Sequence, residues 1–67
     1  MQSILTKREH EIFKALMDNQ TTREIALELG ISEKTVRNHI SNVMQKLGAV
    51  SRIQAVLELI KLKELEF

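Results

Sequence analysis

Residues 22–47, TREIALELGISEKTVRNHISNVMQKL, carry the pattern of two helices joined by a tight turn. Apolar residues recur at helical spacing from Ile25 onward, and Gly30 follows at a position where a helix can end in the left-handed conformation at little cost. Ser32 then offers a side-chain oxygen to the free amides of a new helix. The pattern predicts one helix that ends near Gly30 and a longer one that begins after Ser32.

Three residues of this segment have the sizes that a close helix crossing requires. Ala26 keeps side-chain bulk out of the crossing, Gly30 turns the chain within a connection of about three or four residues, and Val36 fills the wedge between the helix axes. A DNA-binding helix-turn-helix has this spacing. An ordinary helical hairpin in a small bundle shares it, so these positions alone leave both interpretations open.

The outer face of the second helix favours the first interpretation. At about 100° per residue, its apolar side chains fill one arc and its polar side chains fill the opposite arc. The apolar arc consists of Val36, Ile40, Val43, Met44 and Leu47. The polar arc consists of Lys34, Thr35, Asn38, Ser41, Asn42 and Gln45, with Arg37 at the edge between the two. The polar arc has no acid, and its side chains can hydrogen-bond base edges or phosphates, as major-groove binding requires.

The net charge of +1 is unevenly distributed along the chain. Residues 34–52 carry four cations and no acid, whereas residues 1–33 sum to −2 and residues 53–67 to −1. A basic middle segment between acidic ends is a local electrostatic footprint that suits phosphate. The charge pattern therefore agrees with nucleic-acid binding by the second helix of the pair.

Length and composition exclude several classes of protein. The 67 residues make a single domain, placed at residues 1–67. There is no cysteine, and His10 and His39 lie too far apart to pair on one helix, so we expect no metal and no cofactor. No nucleophile, base and orienting group converge, which argues against an enzyme. Without a recognisable signal peptide or membrane span, we expect a soluble, cytoplasmic protein that associates with the nucleoid and not with a membrane.

Two further helices flank the central pair. Thr6 and Glu9 form a capping box at the start of the first helix. Its buried stripe is predicted to consist of Ile12, Phe13, Leu16 and Met17. Either Thr21 or Thr22 caps the next helix, and the sequence does not choose between them. For Thr22, a phosphate contact from a helix N-terminus and a purely structural cap are both open.

The fourth helix, predicted at about residues 52–63, has apolar residues on two sides. Ser51 and Gln54 predict another capping box at its start. One side carries Ile53, Val56, Leu57 and Ile60, and the other carries Ala55, Leu59 and Leu62. Because one small core cannot cover both sides, we expect the second set to pack inward and the first to form a homodimer interface. A deeply buried fourth helix is the alternative.

Taken in order and register, the chain resembles the LuxR/NarL/GerE family of four-helix DNA-binding domains over roughly residues 4–62. The resemblance rests on three segments, LTKREHEIF, TTREIALELGISEKTVRNHISNVMQKLG and SRIQAVLELIK. It implies an all-α helix-turn-helix domain and a sequence-specific transcription regulator that dimerises through its last helix. The recognition helix especially resembles that of GerE-type regulators, which are free-standing spore-formation transcription factors. Two-fold symmetry then predicts a near-palindromic site in double-stranded DNA, and RNA polymerase is left open as a further partner.

By matching position, the resemblance assigns two sets of residues to DNA. The base-reading positions are Arg37, Asn38 and Ser41, and the positions that hold phosphate are Thr22, Lys34, Thr35 and Lys46. Ser41 departs from the family pattern, in which a longer basic residue is frequent. A serine hydroxyl can contact many base edges, so it specifies a base weakly.

The alternative function is a protein-interaction module whose paired helices bind a partner helix rather than DNA. Salt separates the two functions, because phosphate binding weakens in proportion to log salt and binding in an apolar groove does not. The sequence begins three residues before the first helix signal, and we expect no receiver or ligand-binding domain within it. It does not distinguish a free-standing regulator from an excised effector domain, an activator from a repressor, or one operator from another.

Overall fold

The computed structural model describes residues 4–66, which form four α-helices. These are α1 (Lys7–Met17), α2 (Thr22–Leu29), α3 (Glu33–Leu47) and α4 (Arg52–Lys61). Residues 1–3 and Phe67 of the predicted domain lie outside the described part. The all-α, four-helix fold expected from the sequence is confirmed, with α2 and α3 as the two helices of the helix-turn-helix. No helix within residues 4–66 is long and apolar enough to cross a membrane.

The first two helices begin with capping boxes of the same geometry. At α1, Glu9 N donates to Thr6 Oγ1 over 3.1 Å, and Thr6 N donates to Glu9 Oε1 over 2.9 Å. At α2, Glu24 N donates to Thr21 Oγ1 over 3.1 Å, and Thr21 N donates to Glu24 Oε1 over 2.8 Å. Each box satisfies two backbone amides that would otherwise lack an intrahelical partner. Thr21, and not Thr22, is therefore the cap of α2.

The start of α4 differs from the predicted capping box. Gln54 N donates to Ser51 Oγ over 3.1 Å, as expected, but the Gln54 side-chain oxygen accepts from Val50 N over 2.9 Å instead of from Ser51 N. The prediction of a reciprocal Ser51–Gln54 box was therefore half wrong. Glutamine reaches one residue farther back along the chain, because the turn that precedes α4 brings the amide of Val50 into range.

Glycines end the two central helices in the way that the sequence predicts. Gly30 has φ 69° and Gly48 has φ 66°, both in the left-handed region. After each glycine the next amide turns back to its helix: Ile31 N donates to Ala26 O over 3.0 Å, and Ala49 N to Met44 O over 2.9 Å. A residue with a Cβ would be strained at this φ, so glycine sets the position of both turns.

The core surrounds α3, which packs against each of the other three helices. Ala26 and Val36 are buried where α2 and α3 cross, as the residue sizes predict. The largest fully buried side chains are Phe13, Ile12, Ile25, Ile40, Leu59, Val36 and Val43. Leu16 and Met17 are half-buried at the edge of this core, so the buried stripe of α1 is narrower than expected.

The C-terminal segment corrects one prediction for α4. The helix ends at Lys61, and Leu62, which was expected to pack inward, is 46% exposed. Lys63 adopts φ 61°, and Glu64 N then donates to Leu59 O over 2.8 Å. This left-handed turn reverses the chain in the manner of a Schellman motif. It brings Leu65 into the core in place of Leu62, while Ala55 and Leu59 are buried as predicted.

Candidate nucleic-acid interface

The exposed face of α3 is the candidate interface. Val36, Ile40 and Val43 anchor one side of the helix in the core. The opposite side faces solvent with Lys34, Arg37, Asn38, Ser41, Asn42 and Gln45, while Thr35 is half-buried. At about 1.5 Å per residue, the 15 residues of α3 extend over about 22 Å. A helix of this length with one polar face can lie in a major groove about 12 Å wide.

At the N-terminal end of α3, the predicted site residues contact neighbours on the same helix. Thr35 N donates to Ser32 Oγ over 3.1 Å, and the two hydroxyl oxygens lie 2.9 Å apart. Arg37 Nη1 donates to Glu33 Oε2 over 2.9 Å, and both side chains are exposed. This ion pair was not predicted, because Glu33 lies outside the polar arc of α3. The spacing of four residues between Glu33 and Arg37 was the signal that could have revealed it.

At the C-terminal end of α3, Lys46 contacts a different part of the chain. Its ammonium donates to Glu9 Oε1 over 2.8 Å and to the carbonyl oxygen of Ile4 over 3.3 Å. The Glu9 side chain is only 6% exposed, and the Lys46 side chain is 39% exposed. Glu9 thus caps α1 and pairs with α3 through one carboxylate. The pairing was not visible in the sequence, where the two residues are 37 positions apart.

The protonation of Glu9 reflects both its burial and its partners. Burial raises the pKa of its carboxyl group, but hydrogen bonds from the Lys46 ammonium and the Thr6 amide, together with the charge of Lys46, outweigh burial. The pKa of Glu9 therefore lies below its ordinary value, because both partners favour the charged carboxylate. The contact between α1 and α3 is consequently ionic at neutral pH.

Thr22 is the remaining site residue predicted from the sequence. It is the first residue of α2 and is half-buried. Since Thr21 supplies the cap, the Thr22 side chain is not required for capping. Its position in the first turn places it where backbone amides and the helix dipole favour an anion.

Comparison with known proteins identifies the family. The profile described as "Bacterial regulatory proteins, luxR family" matches residues 3–59, most of the chain. The chain belongs to the LuxR family. This confirms the resemblance on which the site residues were assigned.

Individual LuxR-family relatives are similar to this chain in sequence and structure over most of its length. The spore germination protein GerE of Bacillus subtilis (strain 168) is 65% identical over 63 residues, which cover 94% of this chain and 85% of that protein. A solved structure of the transcription factor GerE superposes with a TM-score of 0.94 at 57% identity and covers 97% of both chains. The VqmA–ligand–DNA complex from Vibrio cholera matches with a TM-score of 0.78 at 32% identity, over 90% of this chain and 26% of that one.

This LuxR-family protein is therefore a helix-turn-helix transcription regulator that binds DNA, and it is not an enzyme. Residues 4–66 contain no group of three or more histidine, cysteine or acidic residues that could hold a metal ion.

The predicted dimer face of α4 is open on this LuxR-family domain. Ile53 is 74% exposed and Leu57 is 54% exposed, while Val56 and Ile60 are half-buried against the core. These four residues line one wall of a groove of about 400 Å³. The opposite wall is formed by the end of α1 and the turn that follows it, with Leu16, Met17, Asn19 and Gln20. The contribution of Leu16, Met17, Asn19 and Gln20 was not predicted, because it depends on how α1 packs beside α4.

Proposed function

We propose that this LuxR-type regulator recognises specific sites in double-stranded DNA by placing α3 in the major groove, and that it binds them as a homodimer formed through α4. One observation carries the proposal: the face of α3 opposite the core is continuous, exposed and composed of amides, hydroxyls and cations. The VqmA relative was solved with DNA, which supports the same partner for the shared fold.

The site residues form two groups, one that we assign to base edges and one that we assign to phosphates. Arg37, Asn38 and Ser41 lie on the exposed part of α3, where side chains can meet base edges, and we assign base reading to them. Phosphate contacts are assigned to Thr22, Lys34, Thr35 and Lys46. Arg37 meets a base by exchanging its exposed contact with Glu33, which costs little because exposed ion pairs contribute only about 0–1 kcal/mol.

The dimer is assigned to Ile53, Val56, Leu57 and Ile60. A single pair of short helices buries little area, so we expect an interface below about 1,200 Å² and a weak dimer in solution. When one protein copy is bound, the neighbouring half-site on the same DNA molecule raises the effective concentration of the second copy. The dimer is therefore stable on DNA. Two-fold symmetry places half-site centres about 10 base pairs apart, one turn of DNA, and requires a near-palindrome.

Selection of bound sites from random double-stranded DNA tests DNA recognition. We expect enrichment of a near-palindrome, with log affinity for the selected site falling linearly with log salt. If no sequence is enriched, and the protein instead binds a helical peptide with an affinity independent of salt, the alternative of a protein-interaction module is correct.

Leu57→Glu tests the dimer. A carboxylate at the centre of the proposed interface should abolish cooperative binding to the full site, while affinity for a single half-site stays nearly unchanged. Leu27→Glu is the matched control, because Leu27 is an even more exposed leucine on α2; it should leave the ratio of full-site to half-site affinity unchanged. If Leu57→Glu still binds the full site cooperatively, the dimer does not form through this face. If circular dichroism shows that the Leu57→Glu variant is unfolded, Leu57 belongs to the core.

A further inference from the structure

The capping boxes of α1 and α2 have the same atoms and nearly the same distances, but their glutamates differ in surroundings. Glu24 is exposed and makes no ion pair within residues 4–66. Glu9 is buried, and its Oε1 accepts from both the Thr6 amide and the Lys46 ammonium. A capping box needs no cation. The Lys46 contact is therefore additional to the local role of Glu9 and points to a second one.

The Lys46 ammonium has three N–H donors. Among the described residues, two acceptors contact it. Glu9 Oε1 belongs to the first turn of α1, and the Ile4 carbonyl oxygen precedes that helix. One donor is left, on a side chain that is still 39% exposed. A lysine on a free surface loses rotamer freedom when it reaches a phosphate. Lys46 has already lost much of that freedom in the unbound protein.

We propose that Glu9 is a positioning residue for DNA binding: it holds the Lys46 ammonium at the C-terminal end of α3 so that the remaining N–H donor meets one DNA phosphate. The inference rests on the proposed function, in which DNA lies along the exposed face of α3. Glu9 itself does not touch DNA. Its carboxylate lies behind the ammonium and is almost fully buried, so a phosphate approaches Lys46 from the opposite, exposed side.

The pair has a recognisable electrostatic consequence. Glu9 offsets the charge of Lys46, so this lysine orients the DNA more than it attracts it. A neutral residue at position 9 would restore the full charge of Lys46 and release about one further counterion on binding. It would also free the lysine to move, and the oriented hydrogen bond to phosphate would be lost.

A double-mutant cycle on affinity for the selected DNA site tests the proposal, with variants Glu9→Gln, Lys46→Ala and the double change. Glutamine keeps an oxygen that can accept from the Thr6 amide. At high salt, where charge attraction is screened, Lys46→Ala should weaken binding about tenfold in the wild-type background and at most about twofold beside Glu9→Gln. Glu9→Gln should also steepen the slope of log affinity against log salt by about 1.

Glu24→Gln is the matched control, since it removes the same charge from the same motif without a cation partner. Beside Glu24→Gln, Lys46→Ala should weaken binding as much as it does in the wild-type background. Glu24→Gln should also leave the slope of log affinity against log salt unchanged. Equal losses from Lys46→Ala in the wild-type and Glu9→Gln backgrounds would overturn the proposal. A gain in affinity from Glu9→Gln at high salt would overturn it too, because it would mean that Glu9 withholds Lys46 from DNA.

A measurement on the wild-type protein covers the case in which Glu9→Gln does not fold. NMR of the Lys46 ammonium and the Glu9 carboxyl carbon should show that their contact persists in the DNA complex; separation of the pair on binding would overturn the proposal. Wild-type protein that shows no salt-dependent affinity for DNA would contradict the proposed function itself, whereas normal wild-type binding without coupling in the cycle contradicts only the role of Glu9.

Discussion

The two ends of α3 each hold a cation against a glutamate, but the two pairs are built differently. Near the N-terminus, Arg37 contacts Glu33 on the same helix over 2.9 Å, with both side chains in solvent. Near the C-terminus, Lys46 contacts Glu9 on α1 over 2.8 Å, and the carboxylate is nearly inaccessible. The first pair is local and solvated. The second joins two helices and is partly withdrawn from water.

Burial determines what each pair can do. An exposed pair at this spacing contributes about 0.3–0.5 kcal/mol, so a base edge can replace Glu33 as the partner of Arg37. A buried carboxylate that loses its partner leaves an uncompensated charge, which costs far more. The Arg37 side chain is therefore free to change its partner, whereas the Lys46 side chain is held against the rest of the domain.

The largest effect that this comparison predicts is on stability. Glu9→Ala removes half of a capping box and leaves Lys46 without its anion, and we expect a loss of about 2–3 kcal/mol in the free energy of unfolding, less than for a fully buried pair because Lys46 is partly solvated. Glu24→Ala, which affects only a cap, should cost about 1 kcal/mol. Urea denaturation measures both, and equal losses would show that the Lys46 contact adds nothing to the cap.

At the other end of α3, the predicted effect is on specificity. In the proposed complex Arg37 meets a guanine with two hydrogen bonds, so Arg37→Ala should reduce discrimination between the preferred and a scrambled site by about 1–3 kcal/mol. Titration of both sites gives the difference. Lys34→Ala is the control and should weaken both sites equally, as expected of a phosphate contact. If Arg37→Ala weakens binding to both sites equally, Arg37 contacts phosphate and does not read a base.

The same contrast separates what the sequence could predict from what it could not. Thr6, Gly30 and Ser32 act on their own neighbours, so their caps and turns were predictable, and the spacing of Ala26 and Val36 located the helix crossing. The Glu9–Lys46 pair depends on how α1 packs against α3. Likewise, Leu65 replaced Leu62 in the core because Lys63 takes a left-handed conformation, which an L-residue seldom adopts and sequence rules do not anticipate.

Acid should reduce the stability that Glu9 contributes through its contact with Lys46 at the C-terminal end of α3. Because the pKa of Glu9 is lowered in the folded protein, the unfolded chain takes up the proton first, and the stabilisation by Glu9 is complete above its ordinary pKa of about 4.5 and declines as the pH falls below that value. The stability difference between wild type and Glu9→Gln should therefore shrink across this range. Denaturation at a series of pH values measures it, and a difference that does not change with pH would mean that the carboxylate contributes only as a neutral acceptor.

The smallest effect is expected from Glu33→Gln, at the adaptable end. Removing the exposed partner of Arg37 should change the free energy of unfolding by no more than about 0.5 kcal/mol, since the pair is solvated and one helical turn apart. It should raise affinity for the scrambled site slightly more than for the preferred site, because Arg37 becomes free to meet phosphate while its contact with the preferred base was already available. Urea denaturation and paired titrations measure the two quantities. A stability loss as large as that of Glu9→Ala would show that the N-terminal pair is structural after all, and that both ends of α3 are fixed.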